Sequence, residues 1–214
     1  WVTSMLNFKS KTHEEYVEKR LRELSIPEEK WPKNFMDVID INGNQIIPEE
    51  KYSAFRKLDR RYINNMLKLN ETGIPQEILA AYAKENNAGE VYASLRMSAY
   101  YSGSGQGSFF NGTIYQLHPE WVRGGGTELS YYYEGYREYI FDLLMEMANF
   151  KDITGITMDF GRYPMVFGTE CPDVNERTRI MNEFIKRVRD NMPKGKILNV
   201  RIGHPTAAKA DPWG

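Results

Sequence analysis

One carboxylate stands among arginines at matching places in three short apolar runs. The runs are Val91–Met97, Ile153–Phe160 and Lys196–Ile202. Aligned at their C-terminal ends, they read Ser94-x-Arg96, Thr157-x-Asp159 and Asn199-x-Arg201. Each places a small polar residue two positions before a charged one, and two positions is the side-chain period of a β-strand. If the three strands are neighbours, Arg96, Asp159 and Arg201 form one row on one face. Such a row offers one acid or acceptor flanked by two fixed cations. The cations hold a carboxylate ionised, because nearby positive charge lowers its pKa. The chemistry open to it is proton transfer or nucleophilic attack, or recognition of hydroxyl and anionic groups. A structural ion pair between Asp159 and Arg96 or Arg201 is the competing reading.

Residues near the row widen the candidate set. Arg162 follows Asp159 closely and either reaches the same site or makes a salt bridge at its rim. A second catalytic carboxylate would come from Glu170, Glu128 or Glu134, which lie in or near the segments that follow strands. Glu170 is the leading candidate of the three. Tyr100, His118 and Trp121 fall in a segment without clear periodicity, about 99–130, which reads as a long loop covering the site. They join Arg96, Arg162, Arg201 and Asn199 as candidate ligand-binding residues. His118 and His204 have no partner ligand at metal spacing, so loop or capping roles compete, and no metal is expected. The glycine-rich pieces lack phosphate-loop spacing, and no cofactor is expected.

Helical patterns separate the strands that must carry these groups. Thr12 and Glu15 form a capping box before a helix at about 13–24. A longer amphipathic helix spans about 49–69, and Pro75 opens another that runs to Glu85. Phe35–Asp40 reads as a possible short strand ahead of an Asn42-Gly43 turn. The helix at about 131–149 has Tyr136, Tyr139, Ile140, Leu143, Leu144 and Met147 as its buried stripe. Asp173 caps the helix 174–191, with Glu176 completing a capping box. Alternation of helix and strand predicts an α/β protein with a parallel sheet.

The 214 residues suit one domain spanning the whole chain. With 28 basic and 29 acidic residues the net charge is −1, which gives no electrostatic case for nucleic acid or an anionic membrane. No apolar run reaches the length of a membrane span. A single cysteine, Cys171, excludes a disulfide within the chain. The chain begins at Trp1, so its N-terminus is expected to be processed or truncated, and secretion or a periplasmic location is the favoured expectation. Oligomeric state is not legible.

The segment Met158-Asp159-Phe160-Gly161-Arg162-Tyr163-Pro164 resembles a motif of glycosyl-hydrolase-like TIM barrels, the "family 10 glycosylhydrolase" proteins. Ser94-Leu95-Arg96-Met97, His118-Pro119-Glu120-Trp121 and Asn199-Val200-Arg201 agree with it, and the resemblance spans roughly 74–202. The strand is also similar, distantly, to the chitinase motif, but Thr154, Thr157 and Gly161 stand where that motif carries acids. The resemblance implies a (β/α)8 barrel, incomplete in this chain, and a glycoside hydrolase acting on a carbohydrate substrate through Asp159. Two other functions stay open. One is a non-catalytic carbohydrate-binding barrel; the other is a barrel enzyme for a small acidic metabolite anchored by the arginines.

Overall fold

A computed structural model describes residues 6–47, 53–98, 109–161 and 165–203, with the backbone alone for 53–60. Its centre is a parallel sheet of three strands, β3 (Tyr92–Arg96), β4 (Gly155–Asp159) and β5 (Ile197–Arg201), in that order. The predicted register is the observed one: Ser94 pairs with Thr157 and Thr157 with Asn199, while Arg96 pairs with Asp159 and Asp159 with Arg201. Alternation then divides the sheet. Ala93, Leu95, Ile156 and Met158 are buried on one face, and the polar pairs take the other.

The helices between the strands explain this asymmetry. The helix α5 (Glu134–Ala148) buries the six apolar residues of its predicted stripe and packs on β3 and β4. The helix α6 (Val174–Asn191) begins at the predicted cap, where Asp173 accepts from the Asn175 N–H, and buries Ile180, Phe184 and Val188. Tyr131 joins these layers: its ring meets Phe184 edge-on at 5.5 Å, and its hydroxyl donates to the Met97 carbonyl at the end of β3. The apolar face of the sheet is thus covered at β3 and β4, while Val200 on β5 stays exposed. On the polar face Ser94, Asn199 and Arg201 are exposed.

The N-terminal elements lie around this unit. The helix α1 (Lys11–Glu23) packs on α5, and a hairpin of β1 (Val38–Ile39) and β2 (Gln45–Ile46) turns through 40–44. The helices α2 (Ser53–Glu71) and α3 (Pro75–Glu85) precede β3. The start of α1 differs from expectation. Ser10 is its N-cap, accepting from the His13 N–H, and Thr12 lies inside the helix. A carboxylate from α5 reinforces that cap: Glu146 accepts from the Ser10 hydroxyl and from the N–H groups of Lys11 and Thr12.

Two larger expectations are corrected. The (β/α)8 TIM barrel is not the fold: the described residues form six helices and five strands in two small sheets, three strands parallel and two antiparallel. Local βα spacing predicts the unit and says nothing of how many units close a ring. The segment 99–130 is also not one open loop. Residues 99–108 lie outside the described residues, but Gly112–Leu117 forms a short helix, α4, whose Ile114, Tyr115 and Leu117 are core. Its six residues are too few for periodicity to register.

Candidate functional site

The row that motivated the site is assembled at the C-terminal end of the sheet. Asp159 ends β4 between Arg96 on β3 and Arg201 on β5. Its Oδ1 accepts from the Gly161 N–H at 2.8 Å, and its Oδ2 lies 3.3 Å from Arg201 Nη1. The Arg201 side chain is 69% exposed and that of Asp159 21% exposed. Asn199 and Ser94 stand one level below on the same open face, with Thr157 between them. Adjacent strands are about 4.8 Å apart and alternate residues about 6.7 Å, so the six side chains start from a grid about 10 Å by 7 Å, the footprint of one to two sugar rings. Gly161 completes it. A Cβ there would lie 3.0 Å from both Arg201 Nε and Asp159 Oδ1.

Glu170 belongs to a different construction. It sits in the segment after β4 and ties that segment to the one before α5. Its Oε2 accepts from the Gly124 N–H at 2.6 Å, while its Oε1 accepts from the Gly168 N–H at 2.8 Å and from the Ser130 hydroxyl. Burial alone would raise its pKa, but these three donors outweigh it and hold the carboxyl below the usual glutamate range. The same knot carries a second acid, Glu128, which is buried and accepts from Arg123 Nε at 2.5 Å. Glu134 is exposed in the first turn of α5, where acids favour a helix start. None of the three is gathered beside Asp159 as an unengaged partner. The Ser130, Gly124 and Gly168 partners of Glu170 went unrecognised in the sequence; the density of glycine and short polar residues was the available signal.

His118 and Trp121 lie behind the sheet. Their rings stack at 3.5 Å and 5°, and Trp121 leans on Tyr136 of α5, on the covered side. His118 Nδ1 is 2.8 Å from Glu120 Oε1, and Arg20 Nη2 reaches the same oxygen at 3.1 Å. Burial lowers the His118 pKa and the Glu120 carboxylate opposes this, leaving it below the usual histidine range. With Tyr16 and Glu138 these side chains border a cleft of about 400 Å³ on the helix side. A second cleft, about 430 Å³, opens between α1 and the segment 31–37, bordered by His13, Trp31 and Phe35. It contains none of the predicted residues. Of the carboxylates that line it, Asp37 is engaged by the N–H groups of Lys33 and Asn34.

The structure therefore brings Arg96, Asp159, Asn199 and Arg201 into one register, holds Glu170 in hydrogen bonds with Gly124, Ser130 and Gly168, and packs His118 and Trp121 together against α5. Tyr100, Arg162 and His204 lie outside the described residues. Among the described residues no cluster of three or more His, Cys, Asp or Glu is placed to hold a metal ion. No described helix is long and apolar enough to cross a membrane. The chain matches no protein-family model and no curated protein. Neither the fold nor these comparisons support the hydrolase and glycosidase expectation drawn from the resemblance, and the barrel that resemblance implied is absent.

Proposed function

We propose that the open face of the β3–β4–β5 sheet binds a hydroxyl-rich, carbohydrate-type ligand, with Asp159 as its central acceptor. The observation that carries this reading is the shared register of six polar residues on one face, of which Ser94, Asn199 and Arg201 are exposed and Thr157, Arg96 and Asp159 half-buried. Parallel sheets ordinarily have both faces covered by apolar layers. Here three strands spend one face on Ser94, Thr157, Asn199, Arg96, Asp159 and Arg201. Side-chain acceptors and donors at sugar-ring spacing suit a polyol, whose hydroxyls both donate and accept. Each Asp159 oxygen has one partner among the described residues and retains a lone pair for a ligand hydroxyl.

Binding is favoured over hydrolysis by one specific observation. Glycoside hydrolysis uses two carboxyl groups across the scissile bond. The Glu170 oxygens are occupied by Gly124, Gly168 and Ser130. A glycan array with the wild-type chain and Asp159→Asn tests the reading, with released reducing ends measured in parallel. The expected result is glycan capture that falls about tenfold or more in the variant, the loss of one charge-assisted hydrogen bond. An unchanged array profile for Asp159→Asn removes Asp159 from the surface and overturns the proposal.

A further inference from the structure

We propose that the cleft between α1 and the segment 31–37, about 430 Å³ in volume, is a second binding site. Its ligand is small, neutral and largely apolar, with one hydrogen-bond acceptor to which His13 Nε2 donates. The site is independent of the polar face of the sheet. Spacing on α1 sets its floor: His13, Val17 and Leu21 stand four residues apart and share one helical face. Val17 and Leu21 are buried, and Trp31, Phe35 and Leu67 complete the apolar lining. Trp31 is fixed in place. Its Nε1 donates to the Ile26 carbonyl at 2.8 Å, and the Arg22 guanidinium stands over its ring at 4.9 Å. A concave, apolar and preformed site of this volume is the ordinary form of a small-molecule pocket.

The polar atoms of the lining decide the class of ligand. The Tyr139 hydroxyl is buried, and burial holds it protonated, so its proton needs an acceptor. The acceptor it has among the described residues is His13 Nδ1, 2.9 Å away. The imidazole proton is then on Nε2. That atom has no partner among the described residues and is not sealed from solvent, so it offers one N–H to the cleft. The neutral polar side chains around it are already engaged. Asn34 bonds the Asp37 carboxylate and the Met36 N–H, Asn70 bonds the Lys9 N–H and two carbonyls, and Thr113 donates to the Asp37 carbonyl. The charges are matched in the same way. Glu14 pairs with Lys9 and Glu18 with Arg22, while Asp37 accepts from the N–H groups of Lys33 and Asn34. Lys33 and Glu71, exposed at the rim, have opposite signs. A charged ligand would lose hydration against the apolar walls with no field of one sign to offset the loss. One donor above apolar walls suits a ketone, ester or ether oxygen on a hydrocarbon or aromatic frame.

Three probes of similar shape test this on the wild-type chain: a naphthyl methyl ketone, the corresponding isopropylnaphthalene and the naphthoate anion. Affinity is read by titration calorimetry, and the location by NMR shifts of the His13 ring and the Val17 and Leu21 methyls. The ketone is expected to bind about fivefold tighter than the hydrocarbon, the worth of one neutral hydrogen bond, and about tenfold tighter than naphthoate. His13→Phe keeps a ring and removes the donor, so it erases the advantage of the ketone while the hydrocarbon still binds. Thermal unfolding checks that this variant is folded; where it is not, the wild-type comparison decides alone. Equal wild-type affinity for ketone and hydrocarbon overturns the role of His13. Naphthoate binding tightest of the three overturns the neutral class. No saturable binding of any probe, or shifts confined to other residues, overturns the site.

Discussion

Asp159 and Glu170 are both carboxylates carried on or after β4, and their surroundings give them different work. Asp159 accepts from the Gly161 N–H and meets Arg201 on the polar face of the sheet, whereas Glu170 accepts from three donors belonging to two loops. Glutamine at 170 replaces an acceptor with a donor that faces other donors. Glu170→Gln is therefore expected to lower stability by about 1–3 kcal/mol, read by urea unfolding at pH 7. The sign of its pH dependence follows from the lowered pKa. The native carboxyl stays ionised where the unfolded one is protonated, so its contribution is full above the ordinary glutamate pKa of about 4.3 and fades as pH falls below it. The deficit of the variant should accordingly shrink in acid; a deficit constant down to pH 2.5 (roughly the lower limit of such a window) would show that charge plays no part. The sequence exposed the pairing of Asp159 with its arginines because strand period is strictly two. It concealed the Glu170 knot because loop-to-loop hydrogen bonds have no period.

The elements show the same division. The stripe of α5 and the cap of α6 were legible, since both are set by spacings within one turn or a few. The start of α1 was misplaced by two residues because Ser10 and Thr12 are both competent caps; the choice falls to Ser10, whose hydroxyl also reaches Glu146. The sheet rests on one contact that propensity would not suggest. Gly155 opens β4, and a Cβ there would lie 1.9 Å from the Ile197 carbonyl oxygen on β5. Backbone cannot yield as a flexible side chain does. Gly155→Ala is expected to cost about 3 kcal/mol or more and to separate the start of β5 from β4. Hydrogen exchange at the Ile197 amide, which donates to the Thr154 carbonyl, is the local readout. Protection unchanged from wild type would refute this account of the pairing.

Over the whole molecule, the acidic limb of stability should reflect His13 before Glu170. His13 Nδ1 is 2.9 Å from the Tyr139 hydroxyl between α1 and α5. Burial lowers its pKa to about 4, against an opposing pull from Glu146. An unfolded histidine protonates near 6.5, so the unfolded chain binds this proton first. Stability from the neutral ring is complete above about 6.5 and is lost as pH falls to about 4. Urea midpoints measured across that window should decline for the wild type and decline less for His13→Phe. Equal slopes would place the acid sensitivity elsewhere. The barrel expectation failed at this same scale. Helix and strand patterns announce βα units one at a time, while the number of strands in a sheet depends on contacts that no window of sequence contains.

The cap that Glu146 places on α1 has a consequence for how the chain is made. Ser10 and its acceptor are 136 positions apart. At synthesis rates of about 5–20 residues per second, on the order of 10 s separates their emergence from the ribosome. Through that interval α1 has its amphipathic face and its Ser10 hydroxyl, but neither α5 to pack on nor the carboxylate that completes its first turn. A thirteen-residue helix is marginal alone. The N-terminal segment is thus committed to waiting as a nascent, fraying helix, and its final order is a late event in the life of each molecule.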